Sequence, residues 1–221
     1  MKSALFDDSP NGGGVISGHE IVDQIANNVW PDVSMDDLAR GSVRFRKLFV
    51  NNIHPDTALT RVRVYLQHAS LAPDRIVIFP GTDSDTRVAL TGAERLYGCG
   101  MSDIAVSAGA SWIAVNVASA KDAIFRDGDL VRVAGAGKVE FVRLAASGAV
   151  AWNGNRAVLT FADGQTLADA YPCLTTCVSS CIEADGIPPA LPVWEQYLIP
   201  AGVTGVLGGN TAIGVTGESA S

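Results

Sequence analysis

The sequence predicts a mainly β protein made of two small antiparallel β-sandwich or β-barrel modules, the second inserted in the first, with an extended N-terminal arm. Three observations lead to this prediction. Short apolar stretches lie between turn-forming residues along the whole chain, which has 23 glycines and 10 prolines. Residues 43–50 alternate with a period of two, which is typical of a strand. Asn153-Gly154 lies between two apolar stretches, and this dipeptide is a strong hairpin signal.

The spacing of these stretches predicts three parts of the chain. Residues 1–41 form the arm, residues 42–98 plus 190–217 form a discontinuous β-sandwich domain, and residues 99–186 form the inserted β-barrel or sandwich domain. The prolines in residues 187–192 favour an extended linker that returns the chain to the first domain.

Strands are expected in both domains. In the first, alternating residues at 43–50, 62–66 and 75–79 predict a three-stranded meander. Two later strand-like stretches, 194–199 and 211–215, have no nearby partner and are therefore assigned to the same domain. In the inserted domain, six or seven short strands between 102 and 183 are separated by clear turns.

The arm has two helix signals. Ser17 and Glu20 have the spacing of a capping box, and apolar residues then recur at helical intervals up to Trp30, where Pro31 ends the pattern. Residues 34–40 predict one further helical turn, ended by Gly41. An arm that pairs with a neighbouring molecule would show much the same pattern, so both interpretations stay open.

Composition limits the classes of function. There are 16 Lys and Arg against 23 Asp and Glu, which gives a formal charge of −7, and an acidic chain is poorly suited to binding a nucleic-acid backbone. A helix that spans a membrane needs about 18 consecutive apolar residues, and no apolar run in the chain is close to that length. The first residues lack the apolar region of a signal peptide, so we expect a chain that is made and kept in solution, with no membrane partner.

Cysteine spacing gives no strong metal signal. Cys173, Cys177 and Cys181 are each four positions apart, with Cys99 far upstream, whereas structural zinc sites use tighter pairs and four ligands. Residues four apart on a strand point to one face, so small buried side chains are the favoured interpretation. A disulfide is the alternative.

Other catalytic patterns are also missing from the sequence. The stretch at 109–112 lacks the second glycine of a nucleophile elbow, and His19, His54 and His68 have no motif around them. Asp pairs at 83/85 and 127/129 have the composition of turns rather than of a calcium loop. No phosphate-binding glycine motif follows a strand. We therefore expect no enzyme activity, no catalytic residue, no cofactor and no metal site.

Four segments of the chain resemble a family of structural proteins of tailed-bacteriophage virions. In that family an arm of the type Asn27-Asn-Val-Trp-Pro-Asp-Val-Ser34 precedes a strand of the type found at residues 41–52. The stretch 123–133 is similar to a strand of phage β-modules, and 194–202 is similar to their C-terminal strand. The resemblance implies a virion component of the tail or baseplate, made in the host bacterial cytoplasm, whose partners are copies of itself and other virion proteins.

The resemblance and the charges together give the expected assembly interface. Basic residues near 40–47 and 61–63 could line one sheet face that meets an acidic neighbour. The predicted interface residues are Val29, Trp30, Arg44, Arg46, Arg61, Arg63 and Trp194. Two alternatives are kept: a capsid-decoration or neck protein of the virion, and a glycan- or host-surface-binding module in which the exposed aromatic rings of Trp112, Trp152 and Trp194 stack on sugars.

Overall fold

The computed structural model describes residues 1–4, 12–22, 25, 29–52, 59–69, 74–186, 190–203 and 212–219. These ranges contain one α-helix, α1 (Met35–Arg40), and short 3-10 helices at Arg87–Ala89 and Ala120–Asp122. The strands are β1 (Lys2–Ala4), β2 (Ile16–Glu20), β3 (Ser42–Asn51), β4 (Leu59–Leu66), β5 (Arg75–Pro80), β6 (Cys99–Ser102), β7 (Trp112–Asn116), β8 (Leu130–Gly135), β9 (Lys138–Arg143), β10 (Val150–Asn153), β11 (Arg156–Thr160), β12 (Cys177–Ser180), β13 (Ile182–Gly186), β14 (Ala190–Ile199) and β15 (Ile213–Ser219). All their pairings are antiparallel, which confirms the predicted mainly β class.

The first sheet has five strands in the order β2-β1-β3-β14-β5. β14 pairs along its whole length with β3, from Ala190 opposite Asn51 to Ile199 opposite Ser42, and it pairs with β5 on its other side. The predicted meander is therefore wrong, because β3, β4 and β5 do not pair with one another. An alternating pattern specifies which face of a strand is buried, but it does not specify the neighbouring strand.

A second sheet has three strands in the order β13-β4-β15 and packs against the first. Its apolar residues Val62 and Val64 share a buried cluster with Val50 and Val193 of the five-stranded sheet. β13 pairs with β4 although its residues lie in the segment predicted for the inserted domain. These two sheets thus form a sandwich whose strands come from distant parts of the chain.

The third sheet has seven strands in the order β10-β11-β7-β6-β12-β8-β9, all within residues 99–180. A bridge between Leu144 and Phe161 joins the chain after β9 to the chain after β11, so the sheet curls towards closure. The hairpin predicted at Asn153-Gly154 is confirmed, with Asn153 opposite Arg156 and Gly154 at φ +58° in the turn. The core of this unit includes Phe125, Leu159 and other fully buried apolar side chains.

The two helix predictions have different outcomes. The turn at 34–40 is confirmed as α1: Asp37 N donates to Ser34 Oγ (3.1 Å), Ser34 N donates to Asp37 Oδ2 (3.1 Å), and Gly41 ends the helix at φ +76°. The helix predicted after Ser17 is wrong where the structure describes it, because Ile16–Glu20 is a strand paired with β1. Weak local helix signals are overridden here by pairing at a sheet edge.

Several predicted features fall wholly or partly outside the described ranges. They are the glycine-rich stretch at 9–11, the Asn27-Asn28 dipeptide, the turn at 53–56 with His54, and the first residues of the 187–192 linker.

The described parts of residues 1–41 lie on the chain's own sheets and do not form a detached arm. β1 pairs with β3, through Lys2 opposite Phe49, and Gly13 bridges Thr86. At the other end of the segment, Gly202 N donates to Leu38 O (2.8 Å). The predicted extended arm is therefore corrected to a segment docked on its own subunit.

Lys47 is the buried charge that holds this segment in place. Its side chain is completely buried, and its Nζ lies 2.5 Å from Asp85 Oδ1 and donates to Gly14 O (2.7 Å). Trp194 Nε1 donates to the other carboxylate oxygen of Asp85 (2.9 Å), and Gly13 lies against the Trp194 ring so closely that a Cβ would stand 2.4 Å from it. Burial acts to raise the pKa of Asp85, but the hydrogen bonds from Lys47 and Trp194 outweigh burial and leave the pKa below its ordinary value.

We predict that Lys47→Met lowers the free energy of unfolding by about 3 kcal/mol or more, because it leaves the Asp85 carboxylate without its cation in a largely buried position. Urea unfolding followed by tryptophan fluorescence measures the change. The matched control is Lys138→Met, whose ion pair with Asp169 is about half exposed and is expected to contribute less than about 1 kcal/mol. Equal losses in the two variants would contradict the role given to Lys47.

Candidate functional site

The candidate site is built around the N-terminal segment, which contacts both faces of the β3–β14 pair. Residues 12–14 lie on the face of Lys47 and Trp194. Residues 29–37 lie on the opposite face, where Arg44 is opposite Tyr197 and Arg46 is opposite Glu195. We call Arg44, Arg46, Glu195 and Tyr197 the docking face, because directly opposed residues of an antiparallel pair point to the same side of a sheet.

Two arginines fix the segment to the docking face through its backbone. Arg46 Nε donates to Val29 O (3.0 Å), and Arg44 Nη1 donates to Pro31 O (3.2 Å). Arg44 also pairs with Asp37 of α1 at 2.5 Å. These are charge-assisted hydrogen bonds, which are among the stronger ones in proteins.

Aromatic packing completes the attachment. The Trp30 and Tyr197 rings lie 5.6 Å apart between centroids and are tilted by 52°. The Tyr197 hydroxyl donates to Asp74 Oδ2 (2.8 Å), so the docking face is also tied to the residue that precedes β5. Together these contacts make the segment a fixed part of the subunit.

The predicted interface set is therefore divided among three places. Val29, Trp30, Arg44 and Arg46 meet on the docking face, inside the subunit. Arg61 and Arg63 lie on β4 in the other sheet: Arg61 pairs with exposed Glu218 (3.2 Å), and the Arg63 guanidinium lies 4.6 Å from the centre of the Phe141 ring.

Trp194, the remaining member, is completely buried and its ring stacks on that of Phe79. The expected single basic sheet face is corrected accordingly, because the sequence shows where the positive charges are but does not show their acceptors. Nor is Trp194 an exposed aromatic residue.

The aromatic platform of the glycan alternative is not formed either. Trp112 and Trp152 are 42% and 36% exposed, but Trp112 is opposite Thr160 and Trp152 is opposite Ala157. Thr160 and Ala157 are three positions apart on β11, so they point to opposite faces of the sheet. The two exposed tryptophans therefore do not share one surface.

The acidic pairs singled out in the sequence stabilise turns and ion pairs. Asp127 accepts hydrogen bonds from Gly148 N and Ala149 N, both at 2.8 Å. Asp129 accepts from Arg126 N (2.7 Å) and pairs with Arg95. In the part of the chain that the structure describes, no group of three or more His, Cys, Asp or Glu side chains is placed to hold a metal ion.

The surface that sequence reasoning missed is the outer edge of β2. Within the described ranges β2 ends the five-stranded sheet and has a strand partner on one side only. Apolar side chains are exposed along it and beside it: Val15 (44%), Ile16 (37%), Val22 (55%) and Ile25 (55%). The sequence does show apolar residues at 21, 22 and 25, but their spacing predicts a helix and gives no indication of a sheet edge.

Most other sheet edges are better protected against pairing. Charged residues and proline discourage pairing between edges, and they are present as Lys138, Glu140 and Arg143 in β9, Glu183 and Asp185 in β13, and Arg75 and Pro80 in β5, whereas β15 has Glu218 alone. β5 is also covered at Ile78, which bridges Tyr97, and β10 has only four residues. β2 carries a single acidic residue, Glu20, and no lysine, arginine or proline.

Comparisons with protein-family models, with curated proteins and with solved structures find no match. The described helices include none that is long and apolar enough to cross a membrane. The assignment of a function therefore depends on the geometry of the chain itself.

Glu195, on the docking face, has a carboxyl group with an unusual pKa. The residue is 3% exposed. Burial raises the pKa of its carboxyl group to about 7, while the Trp30 side chain and the positive charge of Arg46 act in the opposite direction.

We predict that Glu195 makes the fold less stable as the pH rises. Its pKa is higher in the folded than in the unfolded state, so its contribution is fully present below the ordinary value of 4.5 and is lost as the pH rises through about 7. The loss is on the order of 3 kcal/mol. Glu195→Gln should therefore raise the free energy of unfolding above pH 7 much more than near pH 4.5, as measured by urea unfolding at both values.

A suitable control for this prediction is Glu218→Gln, which changes an exposed carboxylate on β15. Its effect on the free energy of unfolding is expected to differ little between the two pH values. If Glu195→Gln behaves like this control, the buried carboxyl group is not the source of the pH dependence.

Proposed function

We propose that the protein is a structural component of a tailed-phage virion, of the tail or baseplate, that assembles in multiple copies through the edge of its five-stranded sheet. The observation that carries the proposal is the β2 edge: within the described ranges β2 has a strand partner, β1, on one side only, and exposed apolar side chains lie around it. Its partners are other copies of this chain and other virion proteins.

The edge is suited to strand addition. A strand at the end of a sheet can be extended by a second strand through backbone hydrogen bonds, while the side chains on either face give the contact its specificity. Exposed Ile16 and neighbouring Val15 supply apolar area that loses water when another strand pairs there. A strand with so few charges has little to oppose such pairing.

The partner best suited to this edge is β2 of a second copy. Two identical strands can pair antiparallel about a two-fold axis, and this gives an isologous contact in which the same groups meet from both sides. The two five-stranded sheets would then form one continuous sheet across the contact. Rigid attachment of the N-terminal segment to its own subunit fixes the direction in which each edge points.

The resemblance to virion proteins adds to this argument, since three of its segments are in contact. Residues 29–34 pack on the docking face, which is formed by β3 and β14. β3 lies in the resembling stretch 41–52, and most of β14 belongs to the resembling stretch 194–202. The similar residues therefore belong to one structural unit. Its attachments are of the kind that a particle component needs in order to keep its shape outside a cell.

The position of the chain in the tail or baseplate of the particle is also part of the proposal. A capsid-decoration or neck protein would use the same edge. The glycan-binding alternative has less support, since Trp194 is buried and Trp112 and Trp152 are on opposite faces of their sheet.

We predict that Ile16→Lys abolishes self-association while leaving the fold intact, because a lysine at the β2 edge places a charge where another strand would pair. Size-exclusion chromatography with light scattering, over a range of concentrations, measures the molar mass. Val139→Lys is the matched control, since Val139 is also an exposed apolar residue on an edge strand, 53% exposed on β9. A chain that is monomeric before substitution, or that loses association equally in both variants, would refute edge pairing.

The virion assignment has its own test. Mass spectrometry of purified phage particles should detect the chain in a fixed ratio to the major capsid protein, and Ile16→Lys should lower that ratio while Val139→Lys does not. Particles that lack the chain would exclude the structural role even if the isolated protein self-associates.

A further inference from the structure

Cys99 and Cys177 lie side by side on neighbouring strands of the seven-stranded sheet. Cys99 of β6 is opposite Ser179, and Cys177 of β12 is opposite Met101, so the two cysteines are diagonal neighbours on one face of the sheet. Each thiol shifts the pKa of the other, as groups close to each other do, and Cys99 Sγ donates its proton to His68 O (3.1 Å). Sequence spacing alone had grouped Cys177 with Cys173 and Cys181 instead.

We propose that Cys99 and Cys177 form a redox-active dithiol, which a peroxide oxidises to a disulfide that links β6 to β12. This modification site is independent of the edge contact proposed for assembly, because it lies in a different sheet.

The surroundings make the two thiols unequal. Contact with Cys99, supported by Ser179 and the charge of Arg132, lowers the pKa of Cys177 below its ordinary value. The same contact, together with burial, raises the pKa of Cys99. Cys177 is therefore the thiol that ionises first, and Cys99 is the one that keeps its proton. A nucleophilic and a resolving cysteine need this difference.

Arg132 is a positive charge next to the pair. Its Nε and Nη1 atoms are buried and have no hydrogen-bond partner among the described residues, and its guanidinium lies 4.8 Å from the centre of the Tyr65 ring. An unneutralised guanidinium near Cys177 favours the thiolate over the thiol.

Two cavities give small molecules access to the sulfurs. Cys99 lines a cavity of about 280 Å³ together with His68 and Met101. Cys177 lines a second cavity of about 530 Å³ that also contains Arg132. Each volume greatly exceeds the roughly 30 Å³ occupied by one water molecule, so a hydrogen peroxide molecule fits in either.

The chemistry balances with hydrogen peroxide as the oxidant. The Cys177 thiolate attacks one peroxide oxygen, the O–O bond breaks, and the products are a sulfenic acid and hydroxide, which takes up a proton to become water. The Cys99 sulfur then attacks the sulfenic sulfur, the S–OH bond breaks, and a second water leaves. Overall, the two thiols lose two protons and two electrons, and one peroxide becomes two waters.

The other two cysteines lie in different surroundings. Cys173 Sγ donates to Asp103 O (3.0 Å) in the turn before β12. Cys181 is buried against Tyr65 and Leu130, and burial raises its pKa to about 12. These two residues are expected to keep their thiols under conditions that oxidise the pair.

The test exposes the reduced full-length chain to hydrogen peroxide, removes the oxidant and counts thiols after denaturation. The four thiols of the described chain should fall to two, the intact mass should decrease by two hydrogen atoms, and a reductant should restore both values. The oxidised chain should also melt at a Tm higher by about 5 °C or more, because the new bond closes a long loop.

Serine variants identify the pair. Cys99→Ser and Cys177→Ser should each abolish the loss of mass and the rise in Tm, whereas Cys173→Ser and Cys181→Ser should retain both. Should Cys177→Ser fold poorly, Cys99→Ser decides alone, since Cys99 is only half buried. Unchanged thiols in the parent chain, oxidation to oxyacids with a gain in mass, or a disulfide that persists in Cys99→Ser would each overturn the proposal.

Discussion

A single ammonium group, Nζ of Lys47, joins three parts of the chain that are far apart in sequence. It pairs with Asp85 in the loop after β5 and donates to Gly14 in the N-terminal segment, while Lys47 itself lies in the central part of β3. A buried ammonium needs such partners, since taking it out of water without them is highly unfavourable. The N-terminal segment and the loop after β5 must therefore lie where they can supply hydrogen-bond acceptors to this ammonium group. Trp194 packs into the space between them.

The N-terminal segment connects this buried charge with the surface. Residues 12–14 are held on one face of the β3–β14 pair and residues 29–37 on the other, and β2, which lies between them in sequence, forms the margin of the same sheet. Stability and surface presentation therefore depend on the same contacts.

Local features of the fold were predictable from the sequence, whereas long-range ones were not. β3, α1 and the β10–β11 hairpin were expected because an alternating pattern, a capping box and an Asn-Gly turn act over a few residues. Neither β14 between β3 and β5 nor the diagonal contact of Cys99 with Cys177 has such a signal, because both join residues far apart in the chain. Arg44 and Arg46 show the same limit: the charges were evident, but their backbone acceptors were not.

The central position of β14 has a consequence for folding during synthesis. Every residue that β14 pairs with in β3 and β5 precedes its partner by more than a hundred positions, so the middle of the five-stranded sheet stays open until the ribosome has passed Ile199. The seven-stranded unit, whose strands all lie within residues 99–180, is complete earlier and is the natural first unit to fold. Until β14 is inserted, β3 and β5 present apolar faces to solvent, which makes the nascent chain a substrate for chaperones over that interval.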